Sequence, residues 1–247
     1  MSVVLITGAA KRLGRAIALK LAQSGYDIAI HYRSSVSHAN SLAGEVKALG
    51  RRAALIEGDL ANEAEVLILV PRAAAALGPV TGLVNCASVF EDDRADTATR
   101  ASWDKHLETN LRAPFVLSQG FARLLPAETD GAIVNLIDQA VLNLTPQFLS
   151  YTLSKAGLWT LTQTLAQALA PRIRVNAVAP GPSLKAERQS QANFDAHVQA
   201  TLLRRPSEPA DIAGAVHYLL SAKAVTGQMI AVDSGQHLAW SRDKFVE

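Results

Sequence analysis

The strongest constraint on this chain is a change of period that recurs along it. A short β-branched run, "SVVLI", passes through "TGAAKRLGRA" into "RLGRAIALKLAQSG". There apolar residues recur at helical spacing and Gly25 supplies a C-cap. The unit then repeats. "DIAIHY" is followed by "SHANSLAGEVKALG", which ends at Gly50, and "RAALIEGD" by an alanine-rich helix from Glu63 to Leu77, which ends at Gly78. "TGLVNCA" leads to a helical stretch from Ser102 to Leu125, where Pro114 is expected to kink the axis. "GAIVNLI" leads past Pro146 to a helix over Leu149–Leu169, and "RIRVNAVAP", "PADIAGAVHYLLS" and "QMIAVD" give strand, helix and strand. Such alternation predicts an α/β fold: a Rossmann-type, doubly wound parallel sheet of about seven strands with helices on both faces.

Composition narrows the class. With 247 residues, 49% of them hydrophobic, the chain can bury a substantial core. No linker or low-complexity break divides it, so residues 1–247 are expected to form a single domain. Lys and Arg nearly balance Asp and Glu, for a net charge of +2 without a basic run, so nucleic-acid binding has no support. The N-terminal "MSVVLITGAAK" has no charged n-region, and no apolar run reaches a membrane span. The lone Cys86 cannot form an internal disulfide. A cytoplasmic protein without membrane association is the expectation. The six histidines show no metal-ligand spacing, so no metal is expected.

Right-handed crossovers place the strand ends following Ile6, Asn85, Ile137 and Val178 along one edge, where ligands of such sheets bind. The first of these turns carries Gly8 for a tight bend and Gly14 for close helix packing, so the helix N-terminus can receive a phosphate. Arg12 stands where the usual glycine series has another glycine; it can donate to a pyrophosphate, to a substrate carbonyl, or to both. The end of the second strand reads "HYRSS", with Arg33, Ser34 and Ser35 in place of an acid. An acid there would repel a ribose 2′-phosphate, whereas arginine and hydroxyls welcome it, so NADP(H) is favoured over NAD(H). Asp59 and Leu60 suit the adenine, although Asp59 or Asn62 can equally cap the following helix. The polar segment 184–203 is a candidate substrate lid.

Tyr151 and Lys155 lie four apart on an expected helix and face one way. A lysine cation beside a phenol lowers its pKa and helps it pass a proton. Together with Thr7-Gly8 to Gly14, Asp59, "NCAS" at Asn85–Ser88, Asn110, Pro180-Gly181 and "GQMIAVDSG", this unit resembles the short-chain dehydrogenase/reductase family over almost the whole chain. The resemblance implies Tyr151 as proton donor and Lys155 as ribose ligand and tuner of the tyrosine. Asn110 would hold a helix bend and a water in the proton path. It extends the NADPH-binding set to Lys11, Leu13, Tyr32, Asn85, Ala87 and Ser183, and suggests a homotetramer. Within the family, Arg12, "HYRSS", "NCASVF", Asp138 and "PGPSL" resemble pteridine reductases. That implies a small-molecule pterin or folate held between Phe90 and the nicotinamide, with Ser88 and Arg12 near its polar edge. Cys86 is then a small buried residue, and the tail "WSRDKFVE" is a candidate to reach a neighbouring subunit's site.

Asp138 stands thirteen positions before Tyr151, where the family usually has serine. Ketone reduction builds negative charge on oxygen, which a hydroxyl supports and an ionised carboxylate opposes. Reduction of a ring C=N instead requires a proton at nitrogen, which a carboxyl beside Tyr151 can help relay. Asp138 therefore favours a ring imine over a simple carbonyl. A generic NADP-dependent carbonyl reductase is the alternative. A non-catalytic nucleotide-binding regulator fits poorly with an intact Tyr151, Lys155 and Asn110.

Overall fold

The protein is described by a computed structural model covering residues 2–185 and 189–239. In chain order its elements are β1 (Val3–Ile6), α1 (Arg12–Gln23), β2 (Asp27–Tyr32), α2 (Val36–Ala48), β3 (Ala53–Glu57), α3 (Glu63–Leu77), β4 (Val80–Asn85), α4 (Arg100–Leu107), α5 (Ala113–Leu124), β5 (Gly131–Leu136), α6 (Leu149–Leu169), β6 (Ile173–Pro180), α7 (Gln191–Gln199), α8 (Pro209–Ser221) and β7 (Met229–Val232). The strands form one sheet in the order β3-β2-β1-β4-β5-β6-β7. Every neighbouring pair is parallel. The chain runs outward from β1 to β3, then restarts at β4 on the other side, so the switch point lies between β1 and β4.

The strands read as continuous apolar runs because both faces are covered. Along β1, Val4 and Ile6 enter one core with Ile17, Leu21, Leu42 and Val216, under α1, α2 and α8. Val3 and Leu5 point the other way, into a core with Leu69, Leu117, Phe121 and Leu165, under α3, α5 and α6. The period of two divides one strand between two cores. Each fully buried aliphatic side chain contributes roughly 1.5–3 kcal/mol.

The helical stretch after β4 is interrupted, by a π turn over Glu108–Arg112 that contains Asn110. Pro114 stands just after it, in the first turn of α5; its i−4 residue is Asn110, whose carbonyl it cannot bond, so the break in the ladder falls beside the proline. In the candidate lid, α7 is capped by Ser190, whose hydroxyl accepts from Asn193 N–H at 3.1 Å. Within that segment residues 186–188, and beyond it the tail "WSRDKFVE", lie outside the described residues. Among the described residues no helix is long and apolar enough to cross a membrane, and no cluster of His, Cys, Asp and Glu could hold a metal.

Candidate active site

β1 ends in the glycine turn. Gly8 takes φ +63°, and a Cβ there would lie 3.0 Å from the Ala87 Cα. A Cβ on Gly14 would come within 2.2 Å of the Gly8 carbonyl, so only glycine lets α1 start this close to the turn. Arg12 adopts φ +52°, keeping the backbone of the glycine it replaces. This left-handed conformation costs a side-chain-bearing residue roughly 1–2 kcal/mol. It sends the guanidinium to the chain beyond β6, where it donates to the carbonyls of Leu184 at 2.9 Å and Lys185 at 3.0 Å. Lys11 is exposed and Leu13 half-buried beside it.

A residue that sequence reasoning missed fixes this turn. His31 on β2 is buried, accepts the Gly8 N–H through Nδ1 at 3.0 Å, and reaches the Gly58 carbonyl through Nε2, also at 3.0 Å. Accepting at Nδ1 leaves the proton on Nε2, so the ring is neutral with both nitrogens used. Burial lowers its pKa to about 4, against the pull of the Gly58 carbonyl and of Asp59. The signal was a single histidine following the apolar run Ile28–Ile30 in β2. Further along, Tyr32 is buried, while Arg33 and Ser34 stand exposed past the end of β2. Asp59 is half-buried and accepts from Ala61 N–H at 3.0 Å, with Leu60 buried next to it. The cap of α3 falls to Asn62, which accepts from Ala64 N–H at 3.1 Å.

Across the switch point, Thr7 Oγ1 accepts from Cys86 N–H at 2.9 Å and Ala87 N–H at 3.0 Å, so the ends of β1 and β4 are tied together. Asn85 donates to Asn135 on β5 at 2.8 Å, and Asn135 donates to Thr162 on α6 at 2.9 Å. Cys86 is half-buried, as a small residue under the site; burial pushes its thiol up to about 12, which keeps it protonated and inert. β6 ends at Pro180, and Gly181 packs so tightly that a Cβ would lie 2.6 Å from the Asp233 Cα. Two buried oxygens at these strand ends, Asn85 Oδ1 and Ser183 Oγ, have no partner among the described residues. Unpaired oxygens at a cradle that side chains cannot fill fit the polar groups of a dinucleotide.

The reactive group lies between β5 and α6. Tyr151 Oη donates to Asp138 Oδ2 at 2.7 Å, and Asp138 Oδ1 accepts from Ala140 N–H at 2.8 Å. Lys155 is buried, donates to the Leu136 carbonyl at 2.8 Å, and holds its ammonium 5.7 Å from the Tyr151 ring centre. Asn110 in the π turn bonds both the N–H (2.8 Å) and the carbonyl (2.9 Å) of Val89, and donates to Ser154 at 3.1 Å. The expected Asp138, Tyr151 and Lys155 thus converge, with Asn110 behind them. One expectation reverses. The Tyr151 phenol is held well above its usual value, first by burial and then by the Asp138 carboxylate, rather than lowered by Lys155. The carboxylate is in contact, whereas the ammonium is farther off and bonded to a carbonyl. Burial likewise raises Asp138, against its bonds from Ala140 and Tyr151. Burial also lowers Lys155 to about 8, against Asp138. The arrangement keeps a proton on the phenol and aims it at an acceptor.

Phe90 is 44% exposed beside this group, stacked on Phe148 at 4.4 Å and edge-on to Tyr151 at 4.7 Å, so it forms part of the wall. Ser88 is exposed at the same rim. Behind the wall, Asp93, His106 and Ser150 form a buried polar cluster that the sequence did not reveal.

Comparison with known proteins agrees with this geometry. The family model described as enoyl-(acyl carrier protein) reductase matches residues 8–237. A 3-oxoacyl-[acyl-carrier-protein] reductase FabG from Staphylococcus epidermidis is 35% identical over 239 residues, covering 95% of this chain and 98% of the relative. The crystal structure of FolM alternative dihydrofolate reductase 1 from Brucella canis, complexed with NADP, is 44% identical with a TM-score of 0.95, covering 99% of this chain and 97% of that one. A blue fluorescent protein from a metagenomic library, in complex with NADPH, is 34% identical with a TM-score of 0.90 and covers 95% of this chain and 97% of its own. With a family model matched along nearly its whole length, the chain belongs to the short-chain dehydrogenase/reductase family of oxidoreductases.

Proposed function

We propose that the protein is an NADPH-dependent reductase of a ring C=N bond in a pterin or folate-type substrate. The observation that carries this reading is the 2.7 Å bond from Tyr151 to a carboxyl, Asp138, at the position where the family usually has serine. The likeness to a structure named alternative dihydrofolate reductase, complexed with NADP, supports it. NADPH, when bound, supplies the hydride. Gly8, Lys11, Arg12 and Leu13 would hold its phosphates at the α1 N-terminus, Tyr32, Arg33 and Ser34 its 2′-phosphate, and Asp59 and Leu60 its adenine. Asn85, Ala87, Pro180, Gly181 and Ser183 would line its other half, where Lys155 would hold the ribose.

Tyr151 delivers a proton to the ring nitrogen next to the carbon that receives hydride. Asp138, raised by burial, takes part in that transfer and accepts from an amino group of the ring. Lys155 balances the charge of the pair, and Asn110 sets the α6 and β4-loop backbone around them. Phe90 covers one face of the ring, with Ser88 and Arg12 at its polar edge. The reading includes a cytoplasmic homotetramer, for which sedimentation of the purified protein is the check.

The test is NADPH oxidation with 7,8-dihydrobiopterin and dihydrofolate, against a panel of ketones and β-ketoacyl thioesters. Turnover of dihydropterin is expected, and turnover of the ketones alone overturns the reading. Asp138→Ser is expected to depress dihydropterin reduction by about 100-fold; unchanged kinetics removes its role. The second reading, a 3-oxoacyl thioester reductase, is favoured by the 35% identity to FabG. A carboxyl in the serine position counts against it.

A further inference from the structure

The buried cluster behind the aromatic wall has no part in the chemistry above. Asp93, His106 and Ser150 are 3%, 0% and 0% exposed. Asp93 lies on the long loop after β4, His106 on α4, and Ser150 in the first turn of α6, one residue before Tyr151. Ser150 donates its N–H to Asp93 Oδ1 at 2.9 Å and its hydroxyl to Oδ2, and Ser102 donates to Oδ2 at 2.8 Å. The single hydroxyl proton of Ser150 is therefore used. The 2.7 Å contact between His106 Nδ1 and Ser150 Oγ must run from Nδ1–H to the oxygen. That leaves His106 Nε2 bare, and it accepts the Glu91 N–H at 3.2 Å. The assignment closes without a conflict. Burial lowers His106, against Asp93, so the ring stays neutral. For Asp93 the bonds from Ser150 and Ser102 outweigh burial and hold it ionised.

This network spans two residues that matter to the site. One end is the backbone of Glu91, next to Phe90; the other is Ser150, next to Tyr151. The same loop also accepts at the neighbouring N–H groups of the helix start, through Asp93 O from Leu149 at 2.9 Å and Asp92 Oδ1 from Phe148 at 3.1 Å. Two carboxylates at the α6 N-terminus are favoured by its dipole as well. The loop carrying Phe90 and the helix carrying Tyr151 are thus joined by charge-assisted bonds in a dry setting, where such bonds are directional and costly to break.

We propose that Asp93, His106 and Ser150 are positioning residues that set the gap between Phe90 and Tyr151, and through it the affinity for the substrate ring. They touch neither cofactor nor substrate. The choice of probe rests on the dihydropterin reading; the gap itself does not.

Two substitutions separate the ends of the network. His106→Asn retains a donor for Ser150 and loses the acceptor for Glu91, whereas His106→Gln offers an acceptor to Glu91 and gives up the Ser150 donor. With 7,8-dihydrobiopterin, His106→Asn is expected to raise KM about tenfold, with kcat within about threefold and the NADPH Kd, read by fluorescence, unchanged. His106→Gln, which cuts the same bridge at its Ser150 end, is expected to raise KM as well, and a wild-type KM in it overturns the part given to Ser150. An unaltered KM in His106→Asn overturns the proposal. So does an equal loss in KM, kcat and NADPH Kd alongside a lowered Tm, which marks a merely structural role. If the wild type does not reduce dihydrobiopterin, the functional reading fails and amide hydrogen exchange with NADPH decides the proposal separately. His106→Asn must then speed exchange in residues 88–95, and unchanged exchange there overturns it.

Discussion

Three ionisable side chains share one small volume, and their order of strength decides the chemistry. Tyr151 is bonded to Asp138, so the phenol keeps its proton until substrate offers a better acceptor. Lys155 is lowered to about 8 by burial and is a cation below that value. Turnover per NADPH encounter, kcat/KM, is therefore expected to fall as pH rises through about 8, and Lys155→Met should abolish that limb along with most of the rate. A flat profile across pH 7–9.5 would contradict it. Arg33 stands exposed past the end of β2, and the proposed function gives it the 2′-phosphate. Arg33→Ala is expected to cut the preference for NADPH over NADH about tenfold, one charge-assisted bond's worth, in parallel titrations of the two cofactors. Tyr151 and Lys155 were legible because four residues on a helix is a local relation. The raised phenol was not, because it depends on how deeply the pair is buried. Nor could the sequence show that Arg12 keeps a glycine's backbone.

Among the elements, α3, α6 and α8 and strand β2 begin and end where the sequence reading put them. The helices are long apolar or alanine-rich runs, with Asn62 and Gly78 bounding α3, Pro209 opening α8 and Pro171 just past α6. The bend at Asn110 came from the family resemblance and not from the local period, because its cause is remote: Asn110 bonds Val89, 21 positions away, and Ser154, 44 away. A helix that must present one amide to two distant partners takes an extra residue in a turn. His31 escaped for the same reason, since its partners Gly8 and Gly58 lie 23 and 27 positions off. Where two residues competed for a local role, the structure separates them. Asn62 caps α3, while Asp59 turns toward Ala61. Asn62→Ala is expected to cost about 1 kcal/mol in urea denaturation and leave NADPH affinity intact. A change in affinity without a change in stability would reverse the assignment of these two side chains.

For the whole molecule, the cofactor turn is coupled to the acid tolerance of the fold. His31 titrates near 4 when folded and near 6.5 when unfolded, so the unfolded chain takes up a proton first as pH falls. The stability that neutral His31 contributes is complete above about pH 6.5 and lost progressively down to about 4, a total of about 3 kcal/mol. Urea denaturation at pH 7 and pH 4.5 should show most of that loss, and His31→Gln should flatten the slope. An equally steep slope in the variant would assign the effect to other groups. The sheet order has one more consequence. Because the sheet restarts at β4 beside β1, the cofactor turn is made in the first few residues, and its neighbour Ala87 arrives only after the fourth strand has been laid down. Tyr151 and Lys155 follow later still, and Gly181 closes the edge. As the chain leaves the ribosome, the glycine turn is therefore made long before its supports. The core under α1 is completed only by Ile212, Val216 and Leu219 of α8, so a chain ending near β4 holds the residues of the turn without the packing that fixes them.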